Sequence, residues 1–312
     1  MTATKIIDVA VAVLLREDGA FLLAQRPAGK VYEGYWEFPG GKVEARETPL
    51  QALGRELHEE LGIADIAAHP WLTRVFAYPH ATVRLHFFRV FAWHGEPHGR
   101  EDQQLSWQLL PQLSVAPLLP ANAPILRALE LPCLYAISNA AELGCEEFMR
   151  RLECALQDGL RLLQVREKNL PGEALARFAA QVVQLAHRYG AKVLVNGDAE
   201  LARCSGADGV QLTASQLVVL RHRPDVSWCG ASCHNAEELR CAAALGCDFA
   251  LLSPVLPTLS HPGAAHLGWE RFAETVEGAT IPVFALGGLA AADLPVAQRH
   301  GAHGIALLRQ AW

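Results

Sequence analysis

The chain has 312 residues, 51% apolar and 19% charged, with 27 Lys and Arg against 33 Asp and Glu for a net charge of −6. That balance excludes a disordered polymer and argues against broad contact with a nucleic-acid polymer, which needs a basic face. At roughly 100–200 residues per domain, the length suggests two domains.

The N-terminal MTATKIIDVAVAVLLRED carries an apolar run of only strand length after Asp8. It is too short to span a membrane and lacks the layout of a signal peptide. No transmembrane segment is predicted, so a soluble, cytoplasmic protein with no membrane partner is expected. IIDVAVAVLL reads as a strand, followed by a basic stretch, WEFPGG, and a helix over about 49–61. RVFAYPHATVRLHFFRVFAWHG alternates in part and suits strands of a sheet covered on one side. With a short helix in ANAPILRALEL, residues 1–131 read as an α+β unit.

From Pro132 the rhythm changes. CLYAIS, LLQVREK, KVLVN, GVQL, WCGASC, FALLSPV, PVFALGG and GIALL are short apolar runs separated by mostly helical stretches such as ALARFAAQVVQLAHRYG. Strict alternation of strand and helix predicts parallel strands with crossover helices, and eight such runs predict an α/β domain of the (β/α)8 TIM-barrel type over 132–312. The eighth run is followed by RQAW alone, so the last helix is expected to be missing. All eight cysteines lie in this half, at Cys133, Cys145, Cys154, Cys204, Cys229, Cys233, Cys241 and Cys247. None forms a CxxC pair, so they read as small buried thiols and not as a zinc site.

The strongest local signal is RELHEELG, with Glu56, Glu59 and Glu60 on one predicted helix. Thr48 suits its N-cap, Pro49 the first helical position, Gln51 a capping box, and Gly62 the stop. At about 100° per residue, Glu59 and Glu60 fall within about 60° of Glu56, beside a stripe of Leu53, Leu57 and Leu61. Like charges at this spacing destabilise a helix by a few tenths of a kcal/mol, and hard cations such as Mg²⁺ take carboxylate oxygens. On spacing alone the cluster suits either a solvated face or a metal site.

The wider segment GKVEARETPLQALGRELHEELGI, starting at Gly41, follows G-x5-E-x7-R-E-L-x-E-E-x-G-I at every fixed position and is identified as a Nudix box. The resemblance implies that Glu56, Glu59 and Glu60 bind divalent metal, Mg²⁺ with Mn²⁺ as the alternative. It implies that a backbone carbonyl in the Gly40-Gly41 loop completes the site, and that Glu47 and Arg55 orient it. The implied reaction is hydrolysis of a nucleoside diphosphate linked to a further group, with Glu56 as first candidate for general base and Glu101 as second.

WEFPGGKVE with Glu37 and Phe38, AQRP with Arg26, GEPHGREDQQLSW with Glu101, and LPANAPIL with Asn122 resemble the MutT-type 8-oxo-dGTP diphosphatases. The resemblance implies that Arg26, Glu37, Phe38 and Asn122 contact the nucleotide. It also implies that 8-oxo-dGTP is converted to 8-oxo-dGMP and pyrophosphate, sanitising the nucleotide pool and avoiding mutation. An alternative is another nucleoside diphosphate derivative.

The second half resembles the thiamin phosphate synthase and thiazole tautomerase superfamily through QVREK, VNGDAELARCSGADGVQLTASQL, GASCHNAEEL, LLSPVLPTLSHPG and PVFALGGL. The resemblance implies substrate contacts at Gln164, Arg166, Lys168 and Asn196, and a phosphate loop at Gly287-Gly288. It implies a general acid/base at His234 as in tautomerases, and a phosphorylated thiazole or thiamin-like ligand. The chain departs from the family where two aspartates would hold Mg²⁺: it has Gly197 and Gln216. The family's TxTK loop reads Thr258, Leu259, Ser260, His261. Asp198 and Asp208 are candidate substitutes. A synthase with neither metal aspartate is expected to be degenerate, so the barrel reads as a ligand-binding or structural domain or as a tautomerase-like thiamin-pathway enzyme. The oligomeric state is left open.

Overall fold

The computed structural model describes residues 6–258, 263 and 265–312, which divide into two compact units with the boundary between Glu130 and Leu131. Among the described residues, no helix is long and apolar enough to cross a membrane.

The first unit runs β1 (Ile6–Leu14), β2 (Phe21–Gln25), β3 (Trp36–Glu37), β4 (Gly40–Lys42), α1 (Pro49–Leu61), β5 (Ala64–Ala77), β6 (Thr82–His94), β7 (Leu105–Gln108) and α2 (Ala123–Leu129). One sheet has the order β4-β1-β6-β5, with β1 and β6 parallel, and a smaller one has the order β3-β2-β7. From Val9 to Leu14 β1 is unbroken in apolar character because both of its faces are covered. Ala10, Ala12 and Leu14 pack with Leu53, Leu57 and Leu61 of α1, while Val11 and Val13 pack with Ile125 and Ala128 of α2.

The strands β2 and β7 and the first half of β5 are absent from the sequence reading, which has only a basic stretch before WEFPGG. β2 is nearly uniformly buried, so it shows no alternation to read. β5 contains Pro70 and three register shifts against β6, which break the period-two pattern.

The second unit is a closed parallel barrel of β8 (Leu134–Ile137), β9 (Leu162–Val165), β10 (Lys192–Asn196), β11 (Gly209–Leu212), β12 (Trp228–Cys233), β13 (Phe249–Leu252), β14 (Val283–Leu286) and β15 (Gly304–Leu307), with β15 pairing back to β8. Tyr135, Leu162, Leu194, Trp228, Phe249 and Phe284 fill its interior, while alternate residues face the helices. Those helices are α3 (Ala140–Leu143), α4 (Cys145–Gln157), α5 (Gly172–Arg188), α6 (Ala199–Ser205), α7 (Ala214–Val219), α8 (Ala236–Leu245), α9 (Gly268–Val276) and α10 (Leu294–Arg299). The expectation of buried thiols is corrected in part. Cys229, Cys233 and Cys247 are buried, but Cys145, Cys154, Cys204 and Cys241 are exposed.

After β15 the described residues form a 3-10 turn at Arg309–Ala311. Side chains of this segment pack back on the barrel: Trp312 lies edge-on against Phe148 at 4.8 Å and its Nε1 donates to the Ile137 carbonyl at 2.8 Å. Arg309 pairs with Glu142. A half-buried aromatic with a satisfied polar tip contributes on the order of 1–2 kcal/mol. Trp312→Ala is therefore expected to lower the unfolding free energy of the barrel, read from urea titration, by that amount, and an unchanged value would show the contact to be superficial.

Candidate active site

The helix α1 is fixed at both ends by its own sequence. Thr48 Oγ1 accepts from Gln51 N at 3.3 Å, Gln51 Oε1 accepts from Thr48 N at 2.8 Å, and Gly62 stops the helix at φ +70°. Because Leu53, Leu57 and Leu61 are wholly buried, the helix cannot rotate, and Glu56, Glu59 and Glu60 are presented along one edge. Arg55 sits at the centre of the cluster. Its Nε and Nη2 donate to Glu47 at 2.8 and 3.0 Å, and its Nη2 also donates to the Lys42 carbonyl at 3.0 Å. Its Nη1 donates to Glu56 at 2.9 Å and to Glu59 at 3.2 Å. The Arg55 hydrogen bonds and the Glu44 N–H hold the Glu47 carboxyl down to about 2.

Gly41 lets β4 approach the helix, and Gly40 lets it approach the backbone of β1. A Cβ on Gly41 would lie 2.0 Å from Glu56 Cδ, and a Cβ on Gly40 would lie 2.1 Å from the Ala10 carbonyl oxygen. Gly41→Ala is therefore expected to displace the Glu56 carboxylate and cut turnover by about 10²-fold, because misplacement by about 1 Å carries that cost. Its far-UV circular dichroism should match the parent; full activity would show that the Glu56 position is not critical.

The loop before β7 brings a fourth carboxylate to the helix. Arg100 N donates to the Glu60 carbonyl at 3.0 Å and Gln103 Nε2 to the same oxygen at 3.1 Å, while Glu101 N donates to Gln103 Oε1 at 2.7 Å. Gln103 thus clamps Glu101 to the end of α1. Lys30 pairs with Glu101 at 2.6 Å. Glu101 is the expected carboxylate, whereas Gln103 and Lys30 are absent from the sequence reading; Gln103 lies in EDQQL, where only its contacts in the fold set it apart. Burial, followed by the nearby charges of Glu56, Glu101 and Glu37, pushes the Glu60 carboxyl up to about 7, opposed by the Gly40 N–H.

Among the described residues, no three His, Cys, Asp or Glu side chains already converge as a ligating cluster. The ion pairs of Arg55 account for this at Glu56 and Glu59. The donor set nevertheless fits a hard divalent cation. It consists of carboxylates and backbone carbonyls, and the arginine that neutralises Glu56 and Glu59 does not reach Glu60.

Of the expected nucleotide contacts, Arg26 and Glu37 pair at 2.5 Å, with Arg26 Nε also donating to the Val31 carbonyl at 2.7 Å. Burial raises the Glu37 carboxyl, while the charge of Arg26 opposes the shift. Asn122 is buried and its Nδ2 donates to the Trp36 carbonyl at 3.2 Å. Phe38 is 3% exposed and lies among Phe21 and Phe87, with ring centroids at 5.8 and 6.4 Å, so its ring belongs to the core. Tyr78, absent from the sequence reading, lies near enough to Glu37 and Arg26 to feel both charges, and burial pushes its hydroxyl up to about 12.

In the barrel, Gln164 and Asn196 are joined at the ends of adjacent strands, with Gln164 Nε2 donating to Asn196 Oδ1 at 2.9 Å. Arg166 is half-buried and Lys168 exposed. His234 is exposed and its Nδ1 lies 3.0 Å from Glu238. Gly287 and Gly288 pass directly beneath Pro254–Pro257: added Cβ atoms would lie 2.8 Å from Pro254 Cβ and 2.3 Å from the Pro257 carbonyl oxygen. Close packing alone accounts for both glycines. The candidate substitutes for the metal aspartates are occupied elsewhere. Asp198 accepts from Leu201 N as the cap of α6, and Asp208 accepts from Val193 N and faces His187. Leu259, Ser260 and His261 lie outside the described residues.

The NUDIX domain profile matches residues 5–129, and the thiamine monophosphate synthase profile matches residues 134–311. Over 125 residues the chain is 42% identical to the 8-oxo-dGTP diphosphatase of Haemophilus influenzae, covering 40% of this chain and 92% of that protein. It is 41% identical over 124 residues to the CTP pyrophosphohydrolase of Escherichia coli, covering 40% and 91%. The second half is 30% identical over 180 residues to the thiamine-phosphate synthase of Desulfitobacterium hafniense, covering 56% of this chain and 86% of that protein.

Proposed function

Because this chain belongs to the thiamine monophosphate synthase family through its second unit and to the NUDIX pyrophosphohydrolases through its first, we propose that the first unit hydrolyses 8-oxo-dGTP to 8-oxo-dGMP and pyrophosphate. The observation that carries the reading is the carboxylate edge of α1, faced by Glu101 across a loop clamped to the same helix. Glu56, Glu59, Glu60 and the Gly40 carbonyl, joined by Glu101, would hold Mg²⁺. The ion supplies neutralisation of phosphate charge when bound.

The protein's own residues do the rest. Arg55 and Glu47 form a rigid bidentate pair that keeps Glu56 in place. Glu56, or Glu101 from the opposing loop, takes the proton of the attacking water as the bond to the leaving pyrophosphate breaks. Arg26, held by Glu37, lies at the nucleotide end of the site, and Asn122 reads the base edge. Pyrophosphate release from a panel of nucleotides, with and without Mg²⁺, tests the proposal. No release from 8-oxo-dGTP in the presence of Mg²⁺ would refute it.

A second reading, a pyrimidine triphosphate as substrate, is favoured by the 41% identity to a CTP pyrophosphohydrolase. Preference for CTP in the same panel would select it.

A further inference from the structure

Within the barrel, the positions where the family's metal carboxylates would stand are occupied by a neutral amide clamp. Gln216 Nε2 donates to the Gly197 carbonyl at 2.7 Å, and its Oε1 accepts from Thr213 N at 2.9 Å. Beside it, the Gln164–Asn196 bond uses one amide on another. The neighbouring acids are all engaged: Asp198 and Asp208 as described above, Glu167 with the Ala140 and Ala141 N–H groups, and Glu238 with His234. Neutral amides whose atoms are already paired make a poor Mg²⁺ site, since such sites rest on carboxylate oxygens. The residues present do not fit the family's ion.

The cations of the same rim have the opposite character. Arg166 and Lys168 follow β9, next to Gln164, and among the described residues neither side chain has a hydrogen-bond or ion-pair partner. The Arg166 backbone is pinned by the Ser138 hydroxyl, which accepts from its N–H at 2.9 Å, and burial holds its guanidinium pKa below the usual value. The Glu167 charge opposes that shift from a distance, but its oxygens are taken by the Ala140 and Ala141 N–H groups, so the half-buried guanidinium donates to no acceptor and an anion would complete it. Its planar fork suits phosphate oxygens.

We propose that the barrel mouth does not take the divalent cation on which the family's chemistry rests, so that this unit is not a pyrophosphate-displacing synthase and a phosphate-bearing ligand is held there without a metal, on the Arg166 and Lys168 where the family resemblance already implies substrate contact. The inference rests on the fold and family of the second unit and stands apart from the nucleotide chemistry of the first.

Titration calorimetry of the full-length chain with thiamine monophosphate in EDTA tests it. Saturable binding is expected, with a Kd that excess Mg²⁺ changes by less than about threefold. Arg166→Ala should weaken it by about tenfold or more, the scale of one lost charge-assisted hydrogen bond. Lys168→Ala, at an exposed position that cannot disturb folding, should weaken it by several-fold. Glu60→Gln should leave it unchanged. Absence of binding in EDTA, binding that appears only with Mg²⁺, or indifference to both cation substitutions would overturn the proposal. Loss of binding in Glu60→Gln would move the ligand to the first unit and overturn it equally.

Discussion

Glu60→Gln is expected to lower Mg²⁺-dependent pyrophosphate release by about 10²–10³-fold, the scale of removing one electrostatic stabiliser from a preorganised site, while making the metal-free chain more stable. The two effects have one origin. Glu60 lies between Glu56, Glu101 and Glu37 with a single N–H in support, so in the absence of a cation its negative charge is unfavourable. Its folded-state carboxyl titrates at about 7, above the ordinary 4.5. A raised acid pKa means that the folded state binds the proton more tightly than the unfolded chain. Its contribution to stability is therefore present at low pH and declines as pH rises from about 4.5 through about 7. The glutamine variant lacks that slope, and above neutrality it should be the more stable by about 1 kcal/mol, after discounting for solvent at a half-buried position. Urea titrations in EDTA across this range measure the difference, and pyrophosphate release with Mg²⁺ measures the loss. A variant that retains full activity would remove the carboxylate edge from the mechanism.

How far the chain could be read in advance depended on whether a feature was local. The helix α1 carries its cap, its first proline, its apolar stripe and its stop within fifteen residues of Thr48, so its limits are legible without tertiary information. The eight barrel strands are legible for a different reason. They are parallel and covered on both faces, so each appears as a short continuous apolar run between helices. What escaped was set by distant contacts. Gln103 gains its importance only because the chain returns it to the Glu60 carbonyl, 43 positions away. The same holds for Trp312, which reaches the Ile137 carbonyl across 175 positions. The exposed cysteines show the limit of composition, since a residue type often buried lies outside when its helix face does. Gly197 and Gln216 were visible as departures from a pattern, but only coordinates show the amide of one reaching the carbonyl of the other.

Asn122→Ala is expected to collapse selectivity while sparing catalysis. Oxidation at C8 converts guanine N7 from an acceptor into an N–H donor and leaves O6 an acceptor. A carboxamide can accept from the first and donate to the second, whereas unmodified guanine would set its N7 lone pair against the amide oxygen. Asn122 is buried, and one of its two amide hydrogens goes to the Trp36 carbonyl, which also accepts from Leu119 N at 3.0 Å. That bond fixes the amide's orientation and leaves Oδ1 and the second N–H for a base. A buried, preoriented amide facing the wrong edge is left unpaired, and polar mismatches of this kind discriminate by on the order of 10⁴. In Asn122→Ala, the kcat/KM ratio of 8-oxo-dGTP over dGTP should fall to on the order of 10, because shape alone separates the two bases weakly. The carboxylates of α1 do not touch Asn122, so kcat for a poor substrate should change little. A pyrimidine-triphosphate enzyme would behave differently: its preference for CTP over dGTP would not depend on an amide matched to an oxidised purine edge. If the substitution lowers turnover of every nucleotide alike, Asn122 serves only to tie α2 to β3, and the base is read elsewhere.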